Sequence, residues 1–283
     1  MNLHPIIAGN FMLDGGAMFG VVPKSIWQKT NPADNNNMVK IAARCLLVEK
    51  GDRLTLIDAG MGNKQSEKFF SYYHRWGEET LESSIRKCGF STDDVTDVFL
   101  THLHFDHCGG GVIRIGGGSY KTTFKNAKYW SNKAHWEWAT SPNKREVASF
   151  LKENFVPVEE SGQLNFLKKD ENNYLTRCDL GFDVLFVDGH TEKQMIPIIN
   201  FKGQKIAFAA DLIPTAGHVP LPYIPGYDIR PLTSLKEKES FLNFCNDNNV
   251  LLFFEHDAFK ELGLIHQTER GIRLKSTLKL LDL

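Results

Sequence analysis

The sequence predicts an α/β fold in which strands and helices alternate along the chain. Short apolar runs rich in Val, Leu, Ile and Phe recur and have the length and composition of buried strands. Stretches with helix-start and helix-stop signals lie between them. The segment "NFKGQKIAF", with Gly203 at its turn, adds an antiparallel hairpin. Alternation of this kind is typical of layered α/β proteins.

The composition fits one folded domain that covers residues 1–283. Hydrophobic residues make up 42% of the chain and charged residues 24%, which allows a sizeable core. The formal net charge of -1 provides no overall field that would attract nucleic acid or an anionic membrane. We find no signal-peptide pattern and no apolar run of the roughly 18 residues that a membrane span needs, so we expect a cytoplasmic protein. The five cysteines are scattered without a CxxC pair, which predicts reduced thiols.

Five apolar runs each end in an acidic residue or a histidine. They are "LTLID" ending at Asp58, "VFLTH" at His102, "VLFVDGH" at Asp188 and His190, "IAFAAD" at Asp211 and "LLFFEH" at His256. In sheets of this class, side chains at the strand ends converge on a ligand. The ends of these five predicted strands therefore mark the candidate site.

Three helices are predicted between the strands. They cover residues 79–88, which Gly89 stops, residues 143–154, and residues 235–247, which open with a capping box of Ser234 and Glu237. The glycine-rich segment "GGAMFGVVPKSIW" predicts either a buried hairpin or a loop that lines an apolar pocket.

The segment "THLHFDHCGG" carries the densest group of metal-ligand side chains, namely His102, His104, Asp106 and His107. Imidazole and carboxylate groups without sulfur suit Zn²⁺, Fe²⁺, Mn²⁺ or Co²⁺ at a catalytic site. Because alternate residues of an extended segment share a face, His102 and His104 can reach one ion. Asp106 and His107 lie where the chain turns into "CGGG", and they can reach a second metal ion.

The other strand ends supply the remaining candidate ligands, His190, Asp211 and His256. Asp211 is the candidate bridge, because one carboxylate can hold two cations about 3.5–4 Å apart. The other five histidines are predicted to be surface or packing residues; they are His4, His74, His135, His218 and His266.

The residues resemble a known family. "HLHFDH" fits the H-x-H-x-D-H signature of the metallo-β-lactamase superfamily, and the later His, Asp and His follow in that family's order. "DGGAMFGVVPKSIW" together with "THLHFDHCGG" resembles its quorum-quenching branch, lactonases that open N-acyl homoserine lactones. The resemblance implies a four-layer αββα sandwich, with two mixed β-sheets flanked by helices.

The resemblance also implies a dinuclear zinc site. One Zn²⁺ is held by His102, His104 and His190, the other by Asp106, His107 and His256, with Asp211 between them. Asp58 is implied to accept a hydrogen bond from a ligand histidine and to fix its orientation. Asp106 and Asp211 are the implied catalytic carboxylates.

Two cations that share a water lower its pKa from about 15.7 towards about 7. The resemblance therefore implies that a metal-bridging hydroxide attacks a lactone carbonyl. The alternatives are a phosphotriesterase or other ester hydrolase on the same scaffold and, from another class, a non-catalytic metal-bound scaffold or sensor. We expect a small-molecule substrate, no nucleic-acid partner and no membrane partner, and we leave a homodimer open beside a monomer.

Four residues are candidates for the substrate pocket: Phe105 in the motif, Met18 and Phe19 in the glycine-rich segment, and Tyr223. Several lactonases of the superfamily carry a tyrosine three residues after the bridging aspartate to contact the substrate carbonyl. Here Asp211 is followed by Leu212, Ile213 and Pro214. Tyr223 or Tyr227 is the candidate replacement.

Overall fold

A computed structural model describes every residue from Met1 to Leu283. The strands are β1 Asn2–Asp14, β2 Met38–Lys50, β3 Arg53–Ile57, β4 Asp97–Phe99, β5 Val112–Arg114, β6 Tyr120–Thr122, β7 Lys128–Ser131, β8 Leu164–Phe166, β9 Thr176–Cys178, β10 Phe182–Val187, β11 Gln194–Phe201, β12 Gln204–Phe208, β13 Leu251–Phe253, β14 Leu262–Thr268 and β15 Gly271–Leu278. The helices are α1 Gly15–Phe19, α2 Lys24–Trp27, α3 Glu67–Ser71, α4 Leu81–Lys87, α5 Phe105–Cys108, α6 Lys133–Thr140, α7 Val156–Glu160 and α8 Pro231–Asp247. No helix in the chain combines the length and the hydrophobicity that a membrane crossing requires.

The strands form two large mixed sheets and one small hairpin. The first large sheet has the order β1-β2-β3-β4-β7-β8, with β2 antiparallel to β3 and with parallel pairing from β3 through β8. The second has the order β15-β14-β13-β12-β11-β10-β9, in which β12 and β13 are parallel. The predicted hairpin is the antiparallel pair β11 and β12. The predicted α/β class with two mixed sheets is confirmed.

The chain divides into two compact units, each built from two segments. Unit 1 contains residues 1–10 and 43–181, and unit 2 contains residues 11–42 and 182–283. In unit 1 a continuous apolar cluster includes Leu103 and Cys108. Both belong to the histidine-rich segment "THLHFDHCGG", residues 101–110, which is called the motif below, so this segment is anchored in the core. In unit 2 Phe208 and Phe253 stack at 5.4 Å between β12 and β13. The expectation of a single domain over residues 1–283 stays a prediction.

The predicted start of the last long helix is wrong. Helix α8 begins at Pro231, a residue suited to the first helical position. Glu237 does not cap its own helix; it accepts hydrogen bonds from the backbone amides of Asp188 and Gly189, at 2.8 and 2.9 Å. Ser234 lies inside the helix, and its hydroxyl donates to the carbonyl of Arg230. Tertiary contacts thus use a side chain that the sequence pattern assigned to a local cap.

The predicted helix over residues 143–154 is also wrong. This segment forms turns and ends in a single 3-10 turn at Lys152–Asn154. The Asn143 side chain accepts hydrogen bonds from the amides of Arg145 and Glu146, and such a local bond competes with helix formation. The predicted helix over residues 79–88 is confirmed as α4, with Thr80 as its N-cap.

The glycine-rich segment 15–27 forms the two short helices α1 and α2, not the predicted hairpin or loop. Asp14 caps α1 by accepting a hydrogen bond from the amide of Ala17 at 2.8 Å. The Phe19 ring stacks on Trp27 at 5.1 Å and on His218 at 4.2 Å. The segment is thereby tied to the core of unit 2.

Candidate metal centre

Asp58 and the histidine-rich segment emerge at the same edge of the first sheet, because β3 and β4 are parallel neighbours. The Asp58 carboxylate is fully buried and accepts three hydrogen bonds. One oxygen accepts from the backbone amide of Thr101 at 2.8 Å. The other accepts from the Thr101 hydroxyl at 2.7 Å and lies 3.1 Å from Nδ1 of His107. Asp58 therefore orients a candidate ligand histidine.

Unit 1 gathers the four candidate ligands of the motif. The His102 ring lies 4.5 Å from the His104 ring and 3.9 Å from the His107 ring, measured between centroids. His102 and His104 offer ligand atoms within 4.8 Å of each other, and Asp106 and His107 do the same. Strand β4 already ends at Phe99, so the segment is not an extended strand throughout: Asp106 and His107 lie on helix α5.

The glycines after the motif allow two stretches of backbone to approach closely. A Cβ atom on Gly109 would lie 2.1 Å from the carbonyl oxygen of Met61, and one on Gly110 would lie 2.0 Å from that of Ala59. The amide of Ala59 in turn donates to the carbonyl of His107 at 2.7 Å. Glycine is required here because no other residue fits this approach.

Glu146 is a site residue that sequence analysis missed. Its Oε1 atom lies 3.4 Å from Nε2 of His104, and its Oε2 accepts hydrogen bonds from Trp138 Nε1 and Asn143 Nδ2, each at 2.7 Å. The residue is 3% exposed. The carboxylate is thus held in place from one side and presented to a candidate ligand on the other. No pattern in the sequence marked Glu146 as a site residue. It lies in a segment that was predicted to be a helix, 42 positions from His104.

His135 also supports the motif, although the sequence marked it only as a surface or packing residue. It is fully buried at the N-terminal end of α6, and its Nε2 accepts a hydrogen bond from the amide of Leu103 at 2.8 Å. This bond fixes the backbone between His102 and His104.

Unit 2 positions His190 at a tight turn after β10. Glu237 holds the amides of this turn, and Arg230 donates to the carbonyl of Asp188 at 2.7 Å. A Cβ atom on Gly189 would lie 2.2 Å from the Ser234 hydroxyl, so only glycine allows the turn to pack on α8. These contacts fix the backbone that carries His190.

Asp211 and His256 follow the parallel strands β12 and β13, which end at one sheet edge. Asp211 lies 3.0 Å from Nε2 of His190 and 3.1 Å from Nε2 of His256. His256 Nδ1 donates to the carbonyl of Ala42 at 2.8 Å. Unit 2 thus brings its three candidate ligands into contact.

The charge around His190 is strongly negative. Its Nδ1 lies 3.0 Å from Asp228, another residue that sequence analysis missed. Burial lowers the pKa of His190, but the Asp211 and Asp228 carboxylates outweigh burial and raise it to about 10. A site with this excess of carboxylate favours a bound cation.

Each of the five candidate ligand histidines has one ring nitrogen bonded to an oxygen of the protein. The pairs are His102 with Thr101, His104 with Glu146, His107 with Asp58, His190 with Asp228 and His256 with the Ala42 carbonyl. Ligand histidines in metalloproteins show this arrangement, because the outer bond fixes the tautomer. Buried imidazoles and carboxylates are also the donor set that Zn²⁺ accepts. The residues present therefore fit zinc, while the role of each one as a ligand stays a prediction.

An aromatic cluster lies beside the motif in unit 1. The Phe105 ring contacts Phe69 at 5.4 Å and Tyr73 at 5.0 Å, and all three side chains are partly exposed. Burial, together with the Asp106 carboxylate, raises the pKa of Tyr73 to about 12. The cluster presents an apolar surface next to candidate metal ligands.

The other substrate-pocket candidates lie in unit 2. Met18 and Phe19 are 3% and 0% exposed. His218 is fully buried, donates from Nε2 to the Met18 carbonyl, and has its pKa lowered by burial to about 3. Tyr223 is partly exposed and Tyr227 is 40% exposed. Substrate contact by any of these residues stays a prediction.

Comparison with known proteins decides the family. A family model described as the metallo-beta-lactamase superfamily matches residues 41–256, which is more than half of the chain. The chain belongs to the metallo-β-lactamase superfamily. The predicted family is confirmed, and the mixed α/β structure with two mixed sheets is consistent with its fold. A solved structure described as a quorum-quenching N-acyl homoserine lactone lactonase has a TM-score of 0.66 at 19% identity, over 90% of this chain and 92% of that one.

Several individual proteins are similar to this metallo-β-lactamase superfamily member. A probable metallo-hydrolase of Mycobacterium tuberculosis is 33% identical over 108 residues, which cover 33% of this chain and 35% of that protein. The match thus spans little more than a third of that relative. A probable metal-dependent hydrolase from Staphylococcus aureus has a TM-score of 0.87 at 26% identity, over 98% of this chain and 96% of that one. Both proteins are described as probable metal-dependent hydrolases.

A third similar structure is AidC, described as a dizinc quorum-quenching lactonase. Its TM-score is 0.77 at 21% identity, over 98% of this chain and 95% of that one. At this identity the likeness shows the shared fold.

Proposed function

We propose that this protein is a dinuclear zinc hydrolase that opens the ring of a lactone, an N-acyl homoserine lactone or a similar small molecule. In this proposal His102, His104 and His190 would hold one Zn²⁺, Asp106, His107 and His256 would hold the other, and Asp211 would contribute its carboxylate to both. The cytoplasmic location and the use of zinc rather than Fe, Mn or Co stay predictions, and the homodimer stays one of two open oligomeric states beside the monomer.

The observation that carries the proposal is the set of oxygen partners behind the five histidines. A buried histidine that serves only packing does not require a carboxylate on one ring nitrogen, whereas a metal ligand gains basicity and a fixed orientation from it. Three separate carboxylates fill this role, those of Asp58, Glu146 and Asp228. The superfamily match over residues 41–256 includes all five histidines and all three carboxylates.

When bound, a zinc pair supplies Lewis-acid activation of a water molecule and of the substrate carbonyl. The carboxylates of the chain then handle the proton. We assign Asp211 the transfer: it takes the proton that the attacking water loses and delivers it to the alkoxide that leaves when the ring C–O bond breaks. Asp211 is the least buried of the three candidate ligands in unit 2, with 13% of its side chain exposed, so a substrate can reach it.

The aromatic cluster of Phe69, Tyr73 and Phe105 favours a substrate with an apolar acyl chain. Three adjoining, partly exposed rings beside the ligands provide a surface on which such a chain can lie without losing polar contacts. The neighbour AidC is described as a complex with an N-acyl homoserine product, which supports the same substrate class.

A substrate panel tests the proposal. Metal-replete protein is assayed with N-acyl homoserine lactones, p-nitrophenyl esters, nitrocefin and paraoxon, and kcat/KM is compared. We expect the highest value with a lactone. A preference for the phosphotriester by orders of magnitude would replace lactonase with phosphotriesterase, and bound zinc without turnover on any substrate would favour the scaffold or sensor.

His104→Ala tests the metal assignment directly. We expect loss of zinc, measured by elemental analysis, together with loss of turnover on every substrate. His266→Ala is the control, because His266 is exposed on β14. Wild-type zinc content in the His104 variant would contradict its assignment as a ligand.

A further inference from the structure

Thr101 lies between the Asp58 carboxylate and the His102 ring. The residue is fully buried. Its Oγ1 atom is 2.7 Å from Oδ2 of Asp58 and 3.0 Å from Nδ1 of His102. Its backbone amide donates to the other Asp58 oxygen at 2.8 Å. Asp58 therefore accepts hydrogen bonds from both the backbone amide and the side-chain hydroxyl of Thr101.

The direction of the hydrogen bonds follows from proton counting. A hydroxyl group carries one proton, and a carboxylate accepts but does not donate. The Thr101 proton therefore points to Asp58, and Nδ1–H of His102 donates to the Thr101 oxygen. The His102 lone pair then lies on Nε2, the nitrogen on the opposite side of the ring, which is also buried.

We propose that Thr101 is a positioning residue through which Asp58 sets the tautomer and the ring orientation of His102. Asp58 holds His107 directly, at 3.1 Å, and holds His102 through the Thr101 hydroxyl. The inference rests on the proposed function, which assigns these two histidines to different zinc ions. One carboxylate thus orients a ligand of each ion, and Thr101 is the connection to the first.

Paired substitutions test the hydroxyl. Thr101→Val keeps the branched shape but leaves the His102 Nδ1–H without its acceptor, whereas Thr101→Ser retains the hydroxyl. We expect the valine variant to bind zinc about 10–100-fold more weakly in competition with a chelator, which is the usual effect of losing such an outer partner. The visible spectrum of the Co²⁺-substituted valine variant should also shift. The serine variant should restore both zinc affinity and spectrum towards the wild type.

Thr55→Val is the matched control. Thr55 is 1% exposed on β3, in the same sheet, and its hydroxyl has no hydrogen-bond partner. The substitution is therefore the same change in a buried position away from the motif. It should leave zinc affinity and the Co²⁺ spectrum unchanged.

The outcomes separate the inference from the proposed function. If wild-type protein binds no transition metal, the proposed function fails. If wild-type protein binds two zinc ions and the Thr101→Val variant binds them with the same affinity and spectrum, the function stands and the inference is overturned. Equal losses in the valine and serine variants would also overturn it, since the hydroxyl would then not be responsible.

A measurement on the wild-type protein requires no variant to fold. Proton–nitrogen correlation spectra of the imidazole groups in the zinc-loaded protein report which nitrogen of each histidine carries the proton. We expect the proton of His102 on Nδ1. A proton on Nε2 would overturn the inference.

Discussion

Lys238 and Tyr223 are joined by a hydrogen bond in which the lysine ammonium donates to the tyrosine carbonyl at 2.9 Å. The same nitrogen also donates to the carbonyl of Pro220 at 2.9 Å, and Lys238 is fully buried in α8. A buried lysine thus ties the long helix to the segment that carries Tyr223. Burial lowers the pKa of Lys238 from 10.5 to about 7, although the Asp228 carboxylate acts in the opposite direction.

This lowered pKa predicts how stability depends on pH. Between about pH 7 and 10.5 the unfolded chain keeps the Lys238 proton while the folded chain releases it. The unfolded state then binds more protons, so the contribution of Lys238 to the free energy of unfolding rises with pH, by at most about 1.4 kcal/mol per pH unit. We expect the difference between wild type and Lys238→Met, measured by urea unfolding at pH 7, 8 and 9, to grow in favour of the wild type.

Lys236→Met is the control for that experiment. Lys236 is an exposed lysine on the same helix, and its replacement should change the free energy of unfolding by less than about 0.5 kcal/mol at each pH. A difference between wild type and Lys238→Met that is constant from pH 7 to 9 would contradict the prediction.

Glu146→Gln should weaken metal binding. In Glu146 one carboxylate oxygen faces His104 and the other accepts from Trp138 and Asn143. A glutamine has only one side-chain oxygen, so its NH₂ group must face an N–H donor on one of these two sides. We expect zinc affinity to fall about 10–100-fold, measured by chelator competition. Glu137→Gln, which changes an exposed glutamate on α6, should have no effect. Equal affinity in the two variants would argue against orientation of His104 by Glu146.

Gly110→Ala should destabilise the fold around the motif. The added Cβ would lie 2.0 Å from the Ala59 carbonyl, so the backbone on both sides must move. Overpacking of this kind costs about 1–3 kcal/mol, which urea unfolding can measure. Gly116→Ala is the matched control, because nothing lies within 4 Å of its added Cβ. Equal stability of the two variants would show that the close approach is not required.

Phe105→Ala should reduce activity more on long acyl chains than on short ones, if the proposed lactonase function holds. The Phe105 ring joins Phe69 and Tyr73 into one apolar surface. Removing it takes away about 1–2 kcal/mol of apolar contact with a long chain, which corresponds to a loss of roughly 5–30-fold in kcat/KM. Assays with butanoyl and decanoyl homoserine lactones provide the comparison within one variant. An equal loss on both substrates would place the acyl chain elsewhere.

Sequence reasoning identified the candidate ligands because their chemistry is local. The spacing of "HLHFDH" and the polar residues after apolar runs can be read directly from the sequence. Metal ions bind only a few side-chain types, here His and Asp, so these residues stand out. The α/β class followed from the same apolar runs, and the five predicted strands exist, although β4 ends at Phe99, before the histidine. These features depend on near neighbours in the sequence, so the sequence alone was sufficient for them.

Only the tertiary structure decided which groups stand behind the ligands. Asp228 and Glu146 lie 38 and 42 positions from the histidines that they contact, and Asp58 lies 49 positions from His107. The same long-range contacts explain the errors: Glu237 bonds to the turn before His190 instead of capping α8, and Glu146 reaches His104 because its segment turns instead of forming a helix. Local patterns contain no information about such partners, because strand pairing and packing, not chain spacing, bring them together.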